Sequence, residues 1–143
     1  MIVVDASVAV KWFIAEPDSE RGEKVLGQHL GKIIVPDLFM IEVNAALVRK
    51  SNANKNLAAR GRVHIANFAT MAAAQDFAPV RLAPDRLQQA TEMALDLGHP
   101  LKDCIYLVLA IEHDCPLVTA DARFAAKARR VFAHVQVLED WPV

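Results

Sequence analysis

The sequence predicts a three-layer α/β/α domain with a short, mainly parallel sheet of four or five strands. Apolar segments of three to five residues alternate along the chain with longer segments of helical periodicity. Parallel strands need helical crossovers and are buried on both faces, so they read as continuous apolar runs. With 143 residues and 54% hydrophobic content, the chain fits one domain spanning residues 1–143, whose core needs neither disulfides nor structural zinc.

The first third of the chain predicts two strands and three helices. A strand at about residues 2–5 leads to an apolar helix at 6–15, which Pro17 ends. The elements that follow are a helix at about 18–30, a strand at 33–35, and a helix that opens at Pro36-Asp37 and runs through Arg49.

The remaining elements continue the alternation. The turn-forming residues 51–54 separate the preceding helix from an alanine-rich helix at 57–74, which we expect to pack antiparallel to it. Gly98 and Pro100 are typical of a helix end and a helix start. We therefore expect strands at 80–82, 117–119 and 135–138, the last at an edge, and helices at 84–98, 101–114 and 121–130.

The two cysteines, Cys104 and Cys115, lack the spacing of a zinc site, which favours a reduced, cytoplasmic protein. The chain shows neither a signal-peptide pattern nor an apolar run of the roughly 18 residues that a membrane helix needs. We therefore expect a soluble protein without a membrane segment.

The net charge of −1 conceals a segregated distribution, because no acid occurs between Glu42 and Asp76. The bases in that interval are Arg49, Lys50, Lys55, Arg60 and Arg62. Such a patch suits an enzyme that acts on a polyanion, and it is equally typical of solvated helix faces.

Four acids at the edges of apolar segments predict a divalent-metal site: Asp5, Glu42, Asp103 and Asp121. Asp5 and Asp121 each follow a predicted strand, at the sheet edge where open α/β sheets place their active clefts. Glu42 and Asp103 fall in helices, where the positions three and four residues away offer no lysine or arginine. A carboxylate in apolar surroundings must find a partner, a metal or a proton.

Each acid also has a structural explanation. Asp5 and Asp121 could cap the next helix, Asp103 could interact with a helix dipole, and Glu42 could meet a distant base. Taken together, the four favour a metal site, with Ser7 and Thr119 two residues from Asp5 and Asp121 as orienting hydroxyls. The histidines lack ligand spacing, and the oxygen ligands that remain indicate Mg²⁺ or Mn²⁺. The absence of a phosphate-cradling glycine loop argues against the nucleotide-binding enzymes that use one.

Five segments, taken in their order along the chain, resemble those of a PIN-domain ribonuclease, most closely the VapC toxins of prokaryotic toxin–antitoxin pairs. They are Ile2-Val3-Val4-Asp5-Ala6-Ser7, Pro36-Asp37-Leu38 leading to Glu42-Val43-Asn44-Ala45, Lys102-Asp103-Cys104-Ile105-Tyr106-Leu107-Val108-Leu109-Ala110, Thr119-Ala120-Asp121 with Phe124, and Leu138-Glu139-Asp140-Trp141. Arg123 departs from the pattern, because many relatives have a further acid there, and this leaves the presence of a second metal ion open.

The resemblance implies Mg²⁺-dependent endonucleolytic cleavage of RNA, restraint by a VapB-like antitoxin, and a homodimer. Asp5, Asp103 and Asp121 would hold the metal, and Glu42 would either hold it through a water molecule or help to deprotonate the attacking water. Arg49, Lys50, Arg60 and Arg62 would contact RNA phosphates. Two alternatives stay open: a catalytically inactive PIN fold that binds RNA or protein, and a metal-dependent phosphatase on a Rossmann-like fold.

Overall fold

The protein is built on a five-stranded, fully parallel sheet with strand order β3-β2-β1-β4-β5. The computed structural model describes residues 1–143, apart from the side chain of Leu57. The strands are β1 (Ile2–Val4), β2 (Ile33–Pro36), β3 (Phe77–Val80), β4 (Leu117–Thr119) and β5 (Val135–Val137). This confirms the predicted fold class.

Helices form every connection between neighbouring strands in the chain, as parallel pairing requires. They are α1 (Ala6–Ala9), α2 (Ser19–His29), α3 (Leu38–Ala53), α4 (Ala58–Ala73), α5 (Pro84–Leu97), α6 (Leu101–Glu112) and α7 (Ala122–Ala128). Short 3₁₀ turns lie at Val10–Trp12, Lys55–Leu57 and Leu138–Asp140. In the part of the chain that the structure describes, none of the helices combines the length and apolar character needed to cross a bilayer.

β1 occupies the centre of the sheet, which determines where the site lies. Val3 is in register with Ile34 of β2 on one side and with Leu117 of β4 on the other. The strand order reverses between β1 and β4, and the crevice beyond the carboxyl ends of the strands at such a reversal is a common ligand site. Asp5 directly follows β1, and Asp121 lies two residues beyond β4.

The core surrounds this sheet on both faces. On one side, Phe39 of α3, Phe68 of α4 and Phe77 of β3 form an aromatic cluster with centroid separations of 5.1–5.8 Å. On the other side, α6 is buried continuously from Cys104 to Ala110. Burial of this kind supplies most of the folding free energy and fixes the strand ends that carry the acids.

The structure corrects three predicted boundaries. β3 covers residues 77–80 rather than 80–82, because Phe77 is drawn into the aromatic cluster and the edge position of β3 tolerates Pro79. α3 continues through Ala53 rather than ending near Arg49, and Ser51 inside it donates to the Leu47 carbonyl at 2.7 Å. The helix predicted at 6–15 is a four-residue α1 followed by a 3₁₀ turn.

Candidate active site

The four predicted acids line one cavity at the carboxyl end of the sheet. The cavity has a volume of about 470 Å³, and one acid reaches it from the residue after β1, one each from α3 and α6, and one from the turn after β4: Asp5, Glu42, Asp103 and Asp121. We call it the acidic cavity. The acids are up to 116 residues apart in the chain, and the fold brings them to one place.

Asp5 is a buried carboxylate held by two hydroxyl groups. The residue is 5% exposed, and Ser7 Oγ and Thr119 Oγ1 both donate to its Oδ2 atom, at 2.8 and 2.7 Å. Although Asp5 occupies the N-cap position of α1, its side chain makes no capping hydrogen bond. Burial raises its pKa to about 6, with Asp103 and Glu42 adding to the rise and the two hydroxyls opposing it.

The same two hydroxyls connect the strand ends. Ser7 Oγ accepts from the backbone N–H of Ala120 at 3.1 Å, and Thr119 Oγ1 accepts from the N–H of Asp121 at 3.1 Å. Thr119 lies two residues from Asp121 in the sequence, but its hydroxyl donates a hydrogen bond to the carboxylate of Asp5. Ser7 and Thr119 therefore fix the orientation of Asp5 and join the start of α1 to the turn after β4.

Asp103 and Asp121 form a possible metal-binding cluster with His99, a residue that the sequence analysis did not select. One ligand atom from each of the three lies within 4.8 Å of the other two. His99 Nε2 is 2.6 Å from Asp103 Oδ2. Asp121 also caps α7 by accepting from the N–H of Phe124 at 3.0 Å, so its structural and functional explanations both apply. The four-residue spacing between His99 and Asp103 was the available signal.

His99 is held from three directions. Its ring stacks on Phe124 with a centroid separation of 4.8 Å, and Gly98 precedes it in a left-handed conformation (φ 59°) that ends α5. Lys127 of α7 donates to the Gly98 carbonyl at 2.7 Å. Packing and hydrogen bonding thus place the imidazole beside the two carboxylates.

Glu42 interacts with two residues of α6, a hydrogen-bond donor and a base. Tyr106 donates its hydroxyl to Oε1 at 2.8 Å, and Lys102 Nζ lies 3.5 Å from Oε2 with a side chain 64% exposed. Burial, together with the charges of Asp5 and Glu42, raises the pKa of Tyr106, so this phenol remains a proton donor. Because the Lys102 side chain is exposed, its ion pair with Glu42 is weak. A distant base therefore explains only part of the surroundings of Glu42.

The predicted phosphate contacts divide into two groups. Arg49 and Lys50, near the end of α3, line the acidic cavity. Arg60 and Arg62 are exposed on α4 and are not among its lining residues. Lys11 and Glu16, which were not selected from the sequence, line the cavity as well. Acids and bases therefore border the same opening.

The residues fit a divalent cation. Carboxylate oxygens are the preferred ligands of Mg²⁺ and Mn²⁺, and an imidazole nitrogen suits Mn²⁺ and later transition metals. Asp103 and Asp121 offer the oxygens, His99 offers the nitrogen, and Asp5 faces the same cavity. Burial is the main cause of the raised pKa of Asp5, and the nearby charges of Asp103 and Glu42 add to it, so a bound cation would favour the ionised carboxylate.

Comparisons with known proteins agree with the fold. A family model described as "PIN domain" matches residues 2–130. The solved structure of PAE2754 from Pyrobaculum aerophilum is similar at a TM-score of 0.65 and 19% identity, covering 96% of this chain and 89% of that one. A toxin-antitoxin complex from Klebsiella pneumoniae gives 0.68 and 14%, covering 96% and 98%. FitAcB from Neisseria gonorrhoeae gives 0.57 and 18%, covering 100% of both chains.

No protein of curated function matches this chain in sequence. At identities of 14–19%, the structural similarities establish the fold, and the side chains in the acidic cavity must support any statement about chemistry.

Proposed function

This chain belongs to the PIN domain family, and from that premise we propose that it is a Mg²⁺-dependent endoribonuclease of the VapC toxin type. PIN domains are generally nucleases that use divalent metal ions, so the reaction class is hydrolysis of a nucleic-acid phosphodiester. The finer choices, RNA as substrate and Mg²⁺ as cofactor, rest on the sequence resemblance and on the site.

The observation that supports the proposal most is the convergence of four acids from four separate elements on one cavity. An acid kept only for capping needs no such neighbours, and clustered carboxylates repel one another. Asp5 is the clearest case, because it is buried, makes no capping hydrogen bond, and has a pKa raised to about 6. A bound cation would compensate this unfavourable charge.

The roles of the side chains follow from their contacts. Asp5, Asp103 and Asp121 would hold the cation, with His99 as a further ligand or as a donor that orients Asp103. When bound, the cation lowers the pKa of water and neutralises charge on the phosphate. Glu42, oriented by the Tyr106 hydroxyl, would accept a proton from the attacking water. Ser7 and Thr119 keep Asp5 in one orientation.

The basic side of the cavity supports a polyanionic substrate. Arg49 and Lys50 line the cavity and would contact phosphates next to the cleaved bond, while Arg60 and Arg62 would contact the strand farther away. One of the solved structures with this fold is a toxin-antitoxin complex from Klebsiella pneumoniae. We accordingly propose a VapB-like antitoxin partner for this chain, and on the sequence resemblance alone we also propose a homodimer.

The test compares Asp103→Asn with a matched variant, Asp85→Asn. Both acids lie in the first turn of a helix, but Asp85 is exposed and does not line the cavity. We expect Asp103→Asn to abolish cleavage of a structured RNA in Mg²⁺, and Asp85→Asn to cleave like the wild type. End mapping of the products gives the cleavage site.

Three results would contradict the proposal. Equal cleavage by both variants would separate the acidic cavity from the activity. Hydrolysis of a small phosphate ester without cleavage of RNA would favour the phosphatase alternative. RNA binding without cleavage in Mg²⁺ or Mn²⁺ would favour the inactive binding module.

A further inference from the structure

Glu16, in the loop between the 3₁₀ turn at Val10–Trp12 and α2, lies at the basic side of the acidic cavity between two lysines. Lys11 Nζ is 3.2 Å from Glu16 Oε2, and Lys50 Nζ contacts Glu16 Oε1. The Glu16 side chain is 20% exposed and that of Lys11 only 11%. Although burial alone would raise the pKa of Glu16, hydrogen bonds from Lys50 and Lys11 hold it below its usual value. The group is therefore an ionised carboxylate shared by two ammonium groups.

The two lysines differ in what remains available to a ligand. Lys11 also donates to the Pro17 carbonyl at 2.8 Å, so its ammonium group is committed to the loop. Lys50 is 37% exposed at the side chain and lines the cavity. An ammonium group has three N–H donors, so Lys50 can contact Glu16 and a phosphate oxygen at the same time.

The charges of the group do not cancel. Lys11 compensates Glu16, and the charge of Lys50 then remains as an excess of one positive charge beside the acids. The loop itself is fixed, because Ser19 Oγ accepts from the Glu16 N–H at 2.9 Å and donates to the Ile14 carbonyl at 3.2 Å. Glu16 is thus a rigidly mounted acceptor that can hold a flexible lysine in one place without neutralising the site.

We propose that Glu16 is a positioning residue that holds the Lys50 ammonium group at the cavity as a contact for a substrate phosphate, with Lys11 compensating the charge of Glu16. The inference rests on the proposed function and specifies how that site binds its substrate. In this role Glu16 acts through Lys50 and does not itself contact the substrate phosphate.

The experiment measures the affinity of a short fluorescent single-stranded RNA for the folded protein in chelator, across a series of salt concentrations. Without divalent ions the RNA is not cut, so binding is measured separately from chemistry. The variants are Glu16→Gln, Lys50→Met and the double variant. The matched controls are Glu20→Gln and Lys24→Met, an exposed Glu–Lys pair at 3.7 Å on α2 that does not line the cavity.

The sign of the Glu16→Gln effect is diagnostic. Removing a negative charge strengthens attraction to RNA if only the overall field matters. If Glu16 positions Lys50, Glu16→Gln instead weakens binding, by about fivefold, and lowers the salt slope by about 0.7, the value for one lost phosphate contact on a single strand. Lys50→Met gives the same change, and the double variant is no weaker than Lys50→Met alone. In Mg²⁺, both Glu16→Gln and Lys50→Met raise the KM for RNA cleavage and leave kcat unchanged.

Two results would overturn the inference while the proposed function stands: Glu16→Gln binding RNA as tightly as the wild type or more tightly, or Lys50→Met behaving like Lys24→Met. The second comparison holds even if Glu16→Gln fails to fold, since Lys50 is partly exposed. A wild type that neither binds nor cuts RNA would overturn both this inference and the proposed function.

Discussion

Replacing Asp5 by asparagine should make the metal-free protein more stable at neutral pH while removing its activity. The side chain is buried, and its ionised form is disfavoured by burial first and by Asp103 and Glu42 second. Asparagine has nearly the same shape, and its carbonyl oxygen can accept from both Ser7 and Thr119, which donate to a single oxygen of Asp5. The substitution therefore removes a charge and keeps the hydrogen bonds.

The magnitude follows from the pKa. A pKa of about 6 in the folded protein, against an ordinary value of 3.8, corresponds to about 3 kcal/mol at roughly 1.4 kcal/mol per pKa unit. Because the folded state binds the proton more tightly than the unfolded state, this cost is absent below pH 3.8. It develops as the pH rises from about 4 to about 6 and is complete above that range. Asp5→Asn should recover up to about 3 kcal/mol at pH 7.5.

The assay is urea unfolding in chelator, from pH 4 to pH 8, for the wild type and Asp5→Asn. The difference in unfolding free energy should be near zero at pH 4 and grow to its full value by pH 7. Adding Mn²⁺ at pH 7.5 should stabilise the wild type and have much less effect on Asp5→Asn, because a ligand that binds only the folded state stabilises it. Asp85→Asn, which alters an exposed acid, is the control for a general effect of charge.

The expected stabilisation is refuted if Asp5→Asn is less stable than the wild type at pH 7.5 in chelator, because the Asp5 carboxylate would then stabilise the fold and the hydroxyl pair would outweigh its burial. A difference that is the same at every pH would mean that folding does not shift the pKa of Asp5.

Three further predictions concern the packing and the site. Gly61→Ala should cost about 2 kcal/mol in urea unfolding, because its Cβ would lie 2.1 Å from Ser51 Oγ and 2.8 Å from Ser51 Cβ, and Ser51→Gly in the same chain should restore most of the loss. Tyr106→Phe should lower kcat and cost about 1 kcal/mol in unfolding free energy, because Glu42 loses its hydroxyl donor. His99→Gln should weaken Mn²⁺ binding, measured by calorimetry, by about tenfold or more, while RNA affinity in chelator stays unchanged.

Much of the fold could be predicted because the deciding signals are local. Apolar runs identified β1, β2, β4 and β5, and Pro84 and Gly98 bounded α5. β3 was misplaced because its position depends on Phe77 meeting Phe39 and Phe68, residues distant in the chain. Boundaries that tertiary packing decides are not encoded in a short window of sequence.

In the candidate site, too, local signals predicted some residues, and others depend on contacts that only the fold makes. The acids that end strands could be found because parallel strands bring their carboxyl ends to one edge. His99 was missed because no second histidine lies at ligand spacing from it. Its partner is Asp103, four residues further along the chain. Glu16 was missed because a glutamate after a short apolar helix is ordinary, and only the fold reveals that α3 brings Lys50 to it.

The central position of β1 determines when the sheet can close around it during synthesis. The strand that emerges first from the ribosome carries Asp5, but one of its two neighbours in the sheet, β4, begins at Leu117. The Thr119 hydroxyl that holds Asp5 comes from that same late segment, 114 residues downstream. A nascent chain that has not yet reached β4 has an open edge on β1 and lacks the turn carrying Asp121. The acidic cavity can therefore form only after β4 and the turn that follows it have been synthesised.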